Sequence, residues 1–157
     1  MFEYKKDHTG SRQAEYYDRI PKAQIVHTAE KSDLALISFK SDKKLSIVSV
    51  SENMPVKGDR IAVISSPEGE KFVRTFGKVK SSEPEKYSFN DDQSDNLVLK
   101  HSAYEAPGSS GSAVYNEKME LVGINIGGGR DIFGRFRHGV MIPVDQVREC
   151  LQEWDLR

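Results

Sequence analysis

The 157-residue chain has a single cysteine, a single tryptophan and no long apolar run. A lone Cys150 cannot close a disulfide within the chain, and so little cysteine leans towards a reducing, intracellular setting without deciding the compartment. No stretch is apolar enough to span a bilayer and no signal-peptide pattern is visible, so the expectation is a soluble chain with no membrane partner. Charge of one sign is lacking too: 23 Lys and Arg stand against 24 Asp and Glu, for a net −1. Because the two signs alternate along the chain, no basic face is expected and nucleic acid is not an expected partner. The four histidines and one cysteine show no ligand spacing, so no metal is expected. Gly127-Gly128-Gly129-Arg130 follows a strand without opening a helix, which leaves a phosphate-loop reading without its context, and no cofactor is expected.

What the chain does have is a succession of short strand-like runs separated by turn residues. They are Ala23 to Thr28, Leu34 to Phe39, Arg60 to Ile64, Phe72 to Val79, Leu97 to His101, Ser112 to Tyr115, Leu121 to Ile126 and Gly139 to Ile142. That spacing predicts an all-β barrel or sandwich. One helix is expected from Pro143 to the end, with Val144, Val147, Leu151 and Trp154 as its apolar stripe and Cys150 a buried, inert thiol beside it. Residues 80–96, rich in Ser, Glu, Asp and Lys, read as a polar loop anchored by Tyr87 and Phe89. The length predicts one domain.

The chemistry is concentrated in Pro107-Gly108-Ser109-Ser110-Gly111-Ser112. Taken alone, this is also the composition of a flexible linker. The strand-like Ala113-Val114-Tyr115 resumes at once, however, so the glycines lie between ordered elements. A hydroxyl that attacks a carbonyl needs a tight turn to present it and backbone N–H groups for the oxyanion, and Gly108 and Gly111 bracket Ser110 as such a turn requires. Upstream, Ser32-Asp33-Leu34-Ala35-Leu36-Ile37 places an acid immediately before an apolar strand.

These two motifs, in this order, resemble the trypsin-like serine peptidases of the chymotrypsin fold, most closely the Deg/HtrA-type and glutamyl-endopeptidase-like branches. Further similarity lies in Val56 to Gly69, Gly77-Lys78-Val79, Asn116 to Gly128 and Met141-Ile142-Pro143-Val144-Asp145. The resemblance implies a double β-barrel with a C-terminal helix. Residues 1–50 would be the remainder of an incomplete first barrel, 51–142 mainly the second barrel, and 143–157 the helix. It implies a serine endopeptidase, or its C-terminal portion, acting on a peptide or protein substrate. Ser110 would be the nucleophile, Gly108 and Ser110 the oxyanion donors, and Asp33 the residue that orients a histidine. Tyr104, Glu105, Asn125, Ile126, Gly127 and Gly128 would meet the substrate, with Asn125 standing where glutamyl endopeptidases carry a histidine. A solvent-facing loop acid is the expected state of Glu105; facing the pocket instead, it would favour a basic side chain.

The family's histidine has no counterpart before Asp33. His8 lies in what reads as a polar hairpin turn, and His27 reads as a partly buried strand residue. His101 and His138 follow the aspartate, an order other folds allow. Phe2 to Tyr4 and Ala14 to Tyr17 are candidate strands of the first barrel. The absent histidine leaves three readings open: a downstream part of a longer protein, a partner that supplies the missing strands, or a catalytically inactive domain that binds peptide or protein.

Overall fold

The computed structural model describes residues 23–29, 32–87 and 96–156. His8 and the candidate strands Phe2 to Tyr4 and Ala14 to Tyr17 lie outside the described residues. The chain divides into two compact units, residues 1–28 with 35–47, and residues 29–34 with 48–157.

In the first unit β1 (Gln24–Thr28) and β2 (Ala35–Ser38) pair antiparallel, with a register shift between Ile25 and His27. Both are rich in β-branched or apolar residues, yet the hairpin exposes them, Ile25 at 70% and Ile37 at 54%. His27 is exposed in β1 rather than partly buried.

The second unit holds β3 (Arg60–Ser65), β4 (Val73–Lys78), β5 (Glu85–Tyr87), β6 (Asn96–His101), β7 (Ala113–Tyr115), β8 (Leu121–Arg130), β9 (Phe136–Pro143) and α1 (Val144–Glu153). The seven strands form one sheet in the order β4-β3-β7-β8-β9-β6-β5, every pairing antiparallel. The end of β4 then meets β6. Val79 bridges His101, the Lys80 N–H donates to the Lys100 carbonyl, and the Ser102 N–H donates to the Lys78 carbonyl. The sheet therefore curls round upon itself. Gly77 permits this closure, since a Cβ there would lie 2.2 Å from the Ala103 nitrogen.

Alternation along β3 buries Ile61, Val63 and Ser65 and leaves their neighbours more exposed. Ile61 and Val63 join Val79, Leu99, Ala103, Val114, Val122 and Met141 in the main core, with Met54 packed against it. Val98, Ile126, Val140 and Ile142 form a second cluster, covered by Leu34 and Tyr87. Two expectations are corrected by the strands. The polar stretch 80–96 contains β5, because Glu85 to Tyr87 pair with β6. β8 runs on to Arg130, four residues past its apolar part, because the glycines fit closely against β9 in a long hairpin. The helix starts after Pro143, whose ring suits a helix entry, and ends at Trp154. Cys150 is buried, and burial pushes its thiol pKa up, as befits an inert packing residue.

Candidate active site

Ser110 stands in the loop between β6 and β7, and the loop is pinned at both ends. On one side Ala106 to Ser109 make a β-turn closed by the Ser109 N–H on the Ala106 carbonyl at 3.0 Å. Pro107 takes the second position and Gly108 the third at φ +98°, the signature of a type II turn. Behind it the 3-10 turn at Pro67–Gly69 packs closely: the Glu68 N–H donates to the Pro107 carbonyl at 2.7 Å. A Cβ at Gly108 would sit 2.5 Å from the Ser66 carbonyl oxygen, so only glycine satisfies both the dihedral and the space. On the other side Gly111, at φ +80°, donates to the Asn125 carbonyl at 2.7 Å, and the Asn125 N–H donates to Ser112 at 2.8 Å.

Between these anchors the Ser110 side chain is exposed, and its hydroxyl donates to the Ile126 carbonyl at 3.1 Å. The N–H groups of Gly108 and Ser110 take no hydrogen-bond partner among the described residues. Ser109, at the place where the resembling peptidases carry an acid or amide, is fully buried. Its hydroxyl accepts from the Ala106 N–H at 3.3 Å and donates to Ser65 Oγ at 3.3 Å, tying the turn to the end of β3.

Asp33 lies between β1 and β2 with its side chain exposed. Its N–H donates at 3.0 Å to Oδ1 of Asn96, a buried residue at the start of β6. No histidine among the described residues hydrogen-bonds to Ser110 or Asp33.

Glu105 departs from the sequence expectation. It is 8% exposed instead of solvent-facing, because the chain turns inward at Ala103 before the Pro107 turn and carries the side chain against β8. Asn125 Nδ2 donates to Glu105 Oε2 at 2.6 Å and to the Ser109 carbonyl at 3.2 Å, and Asn125 Oδ1 lies 2.9 Å from His101 Nε2. With both amide protons committed to oxygens, Oδ1 must face His101, which therefore carries its proton on Nε2. His101 is wholly buried, and burial outweighs the Asn125 bond to push its pKa down to about 4, so the ring is neutral. Burial likewise raises the Glu105 pKa, while the Asn125 bond and then Arg130 act the other way. Tyr104, by contrast, turns outward and packs edge-on against Phe136 at 5.3 Å.

The structure thus brings Glu105, Asn125 and Ser109 into one hydrogen-bonded group and joins Ser110 to Ile126. Sequence reasoning missed His101 as a member. The available signal was a pair of polar residues, His101 and Asn125, inside strands that are otherwise buried, since such groups need partners. Among the described residues no cluster of His, Cys, Asp and Glu could hold a metal.

The sequence profile of the trypsin-like peptidase domain matches residues 5–124. The chain belongs to the trypsin-like peptidase family. It is 29% identical over 133 residues to a probable periplasmic serine endoprotease, DegP-like, of Buchnera aphidicola subsp. Schizaphis graminum, a match covering 84% of this chain and 27% of that protein. The chain thus spans about a quarter of that relative's length. Among solved structures it is similar in fold to Rv3671c of M. tuberculosis H37Rv. The inactive form of that protease aligns with a TM-score of 0.69 at 18% identity, over 87% of this chain and 68% of the other. A serine-to-alanine mutant of it, also in an inactive form, aligns with a TM-score of 0.68 over 87% and 66% at the same identity. This trypsin-like peptidase chain shares the fold of those proteases and is itself mostly β, with one C-terminal helix among the described residues.

Proposed function

We propose that this trypsin-like peptidase domain is a serine endopeptidase, or the nucleophile-bearing portion of one, cutting peptide or protein substrates. Residues 1–50 would contribute to a first barrel and residues 51–142 mainly to a second. Ser110 would attack the scissile carbonyl, and the N–H groups of Gly108 and Ser110 would hold the oxyanion. Asp33 would orient a histidine brought from outside the described residues, by His8, another segment or a partner chain. Tyr104, Glu105, Asn125 and the strand Ile126-Gly127-Gly128 would meet the substrate. The β7 side of β8 is paired as far as Asn125, through Gly111 and Ser112, and beyond it an extended peptide would add as a strand along Ile126 to Gly128.

The observation that carries this reading is the type II turn at Gly108, which leaves the N–H groups of Gly108 and Ser110 without a partner among the described residues. Acyl transfer requires such a pair of N–H groups, free to receive an oxyanion. One observation favours a second reading, a protease-like domain that binds peptide without cutting: the Ser110 hydroxyl is spent on the Ile126 carbonyl, with no base hydrogen-bonded to it among the described residues. Labelling by an alkyl fluorophosphonate together with casein hydrolysis, in the protein and its Ser110→Ala variant, separates the two. Labelling and cleavage that vanish in Ser110→Ala establish the enzyme; peptide binding with neither establishes the binding domain.

A further inference from the structure

We infer that Asn96 is a positioning residue of this site: its buried side chain grips the backbone of Asp33 and holds that acid on the unit that carries Ser110. The inference rests on the endopeptidase reading above and adds to it a residue outside both motifs.

Asp33 lies in the turn that joins β1 to β2, yet this turn is not part of the hairpin's unit. Residues 29–34 form one compact body with residues 48–157, while β1 and β2 belong to the other. Two bonds shape the turn from within. The Leu34 N–H donates to the Ser32 carbonyl at 2.7 Å, closing a tight turn centred on Asp33, and the Ala29 N–H donates to the Leu34 carbonyl at 3.0 Å. Neither bond uses the Asp33 N–H. That group donates instead to Oδ1 of Asn96 at 3.0 Å, 63 positions along the chain. Beside this bond, Leu34 packs against the cluster of Val98, Ile126, Val140 and Ile142. Ile126 is also the residue whose carbonyl takes the Ser110 hydroxyl. A hydrogen bond and an apolar contact thus fasten the acid to the body that presents the nucleophile.

Asn96 is 1% exposed at the start of β6. Asparagine is depleted from strands, and burying its amide is offset only by partners, so strand formation does not account for this residue. A backbone N–H can be met only by the amide oxygen, which fixes the way round the amide stands. An acid that orients a histidine acts through geometry, because the imidazole must turn the right nitrogen to the serine hydroxyl. Misplacing it by about 1 Å costs about 10²-fold in rate. A grip on the N–H of Asp33 itself sets the Cα from which the carboxylate is hung.

The test uses the full-length protein together with the segment or partner that brings the histidine, as wild type, Asn96→Leu and Asn96→Asp. Asn96→Leu keeps the size of the side chain and removes the acceptor, whereas Asn96→Asp keeps an oxygen there. Hydrolysis of a fluorogenic peptide gives kcat, KM and the pH profile, and fluorophosphonate labelling reports on Ser110. The expected result for Asn96→Leu is a kcat lower by about 10- to 100-fold, with KM within about twofold of wild type. The acid limb of its profile should move to lower pH, because a carboxylate that has drifted away stabilises the imidazolium less. Asn96→Asp should recover most of the lost kcat. In an Asp33→Ala background Asn96→Leu should cost no further kcat, since Asn96 acts only through the acid. A folded Asn96→Leu that loses stability in urea but keeps its kcat and its pH limb would overturn the inference and leave the endopeptidase reading standing. So would the same loss of kcat with and without Asp33. Neither labelling nor cleavage in the wild type would overturn that reading, and the inference with it. Should Asn96→Leu fail to fold, Asn96→Ser takes its place: its hydroxyl stops short of the Asp33 N–H, and an undiminished kcat there would sink the proposal.

Discussion

Gly108 combines a left-handed φ of +98° with a backbone neighbour 2.5 Å from where a side chain would begin. Gly108→Ala must therefore swing the turn away from Ser66 and carry the Gly108 N–H with it. The expected outcome is a loss of about 10²- to 10³-fold in kcat, as for removal of one oxyanion donor, with fluorophosphonate labelling slowed in parallel. His101 supplies a prediction of another kind. Its pKa falls from an ordinary 6.5 to about 4 in the folded chain, so between those values the unfolded state binds the extra proton. The stability that neutral His101 contributes is present in full above pH 6.5 and is lost as pH falls towards 4, by about 3 kcal/mol. Glu105, with its pKa raised, acts in the opposite sense, losing stability as pH climbs above its unfolded value of 4.5. Urea unfolding of wild type and His101→Gln across pH 4 to 7 isolates the histidine: the wild-type advantage should shrink as the pH falls. An advantage that is flat with pH would contradict the buried, neutral ring.

Among the elements, the junction of β4 and β6 governs whether the sheet closes. Three backbone groups meet there, and the Lys78 N–H also donates to Ser102 Oγ at 2.9 Å. Gly77→Ala places a methyl group 2.2 Å from the Ala103 nitrogen, where the neighbour is backbone and cannot rotate away. The strand must shift, at a cost of about 1–3 kcal/mol or more, read as a lower urea midpoint and faster amide exchange at Lys80 and Ser102. Leu99→Ala, deep in β6 at 2% exposure, removes core without touching the closure. It should cost about 2–5 kcal/mol in the same assay while leaving those amides protected relative to the global transition. The helix adds a tie of its own, since Gln146 Nε2 donates to the Leu97 carbonyl and Arg148 donates to the Glu52 carbonyl.

At the scale of the whole molecule, the described residues hold the proposed nucleophile loop and acid but no histidine bonded to either. This chain alone should therefore hydrolyse casein only at the slow residual rate left by binding and oxyanion stabilisation. Supplying the segment or partner that brings a histidine to Ser110 should raise the rate by several powers of ten, about 10³-fold or more, in a manner that Ser110→Ala abolishes. Equal activity with and without that addition would assign the base to a histidine of this chain, with His8→Ala as the deciding variant. The exposed Ile25 and Ile37 of the first unit fit the same expectation, because added strands would cover them.

Much of this protein was legible in its amino-acid order. Alternating apolar residues and turn glycines marked eight of the nine strands among the described residues, Pro143 marked the start of the helix, and Gly-Ser-Ser-Gly with the Asp33 motif pointed to the peptidase family. Such signals are local: they depend on dihedral preference and side-chain period, which a short window of residues contains. Glu105 and His101 were not legible in that way. Whether an acid beside a Pro-Gly turn faces water or the interior depends on what the fold sets against it, and here that was Asn125, twenty residues on and on another strand. The length of β8 and the presence of β5 followed the same logic. Gly127 to Arg130 and Glu85 to Tyr87 carry little strand propensity, and they are strands because β9 and β6 offer them a ladder of hydrogen bonds. Burial and pairing are relations between distant segments, so they came into being only when the sheet closed.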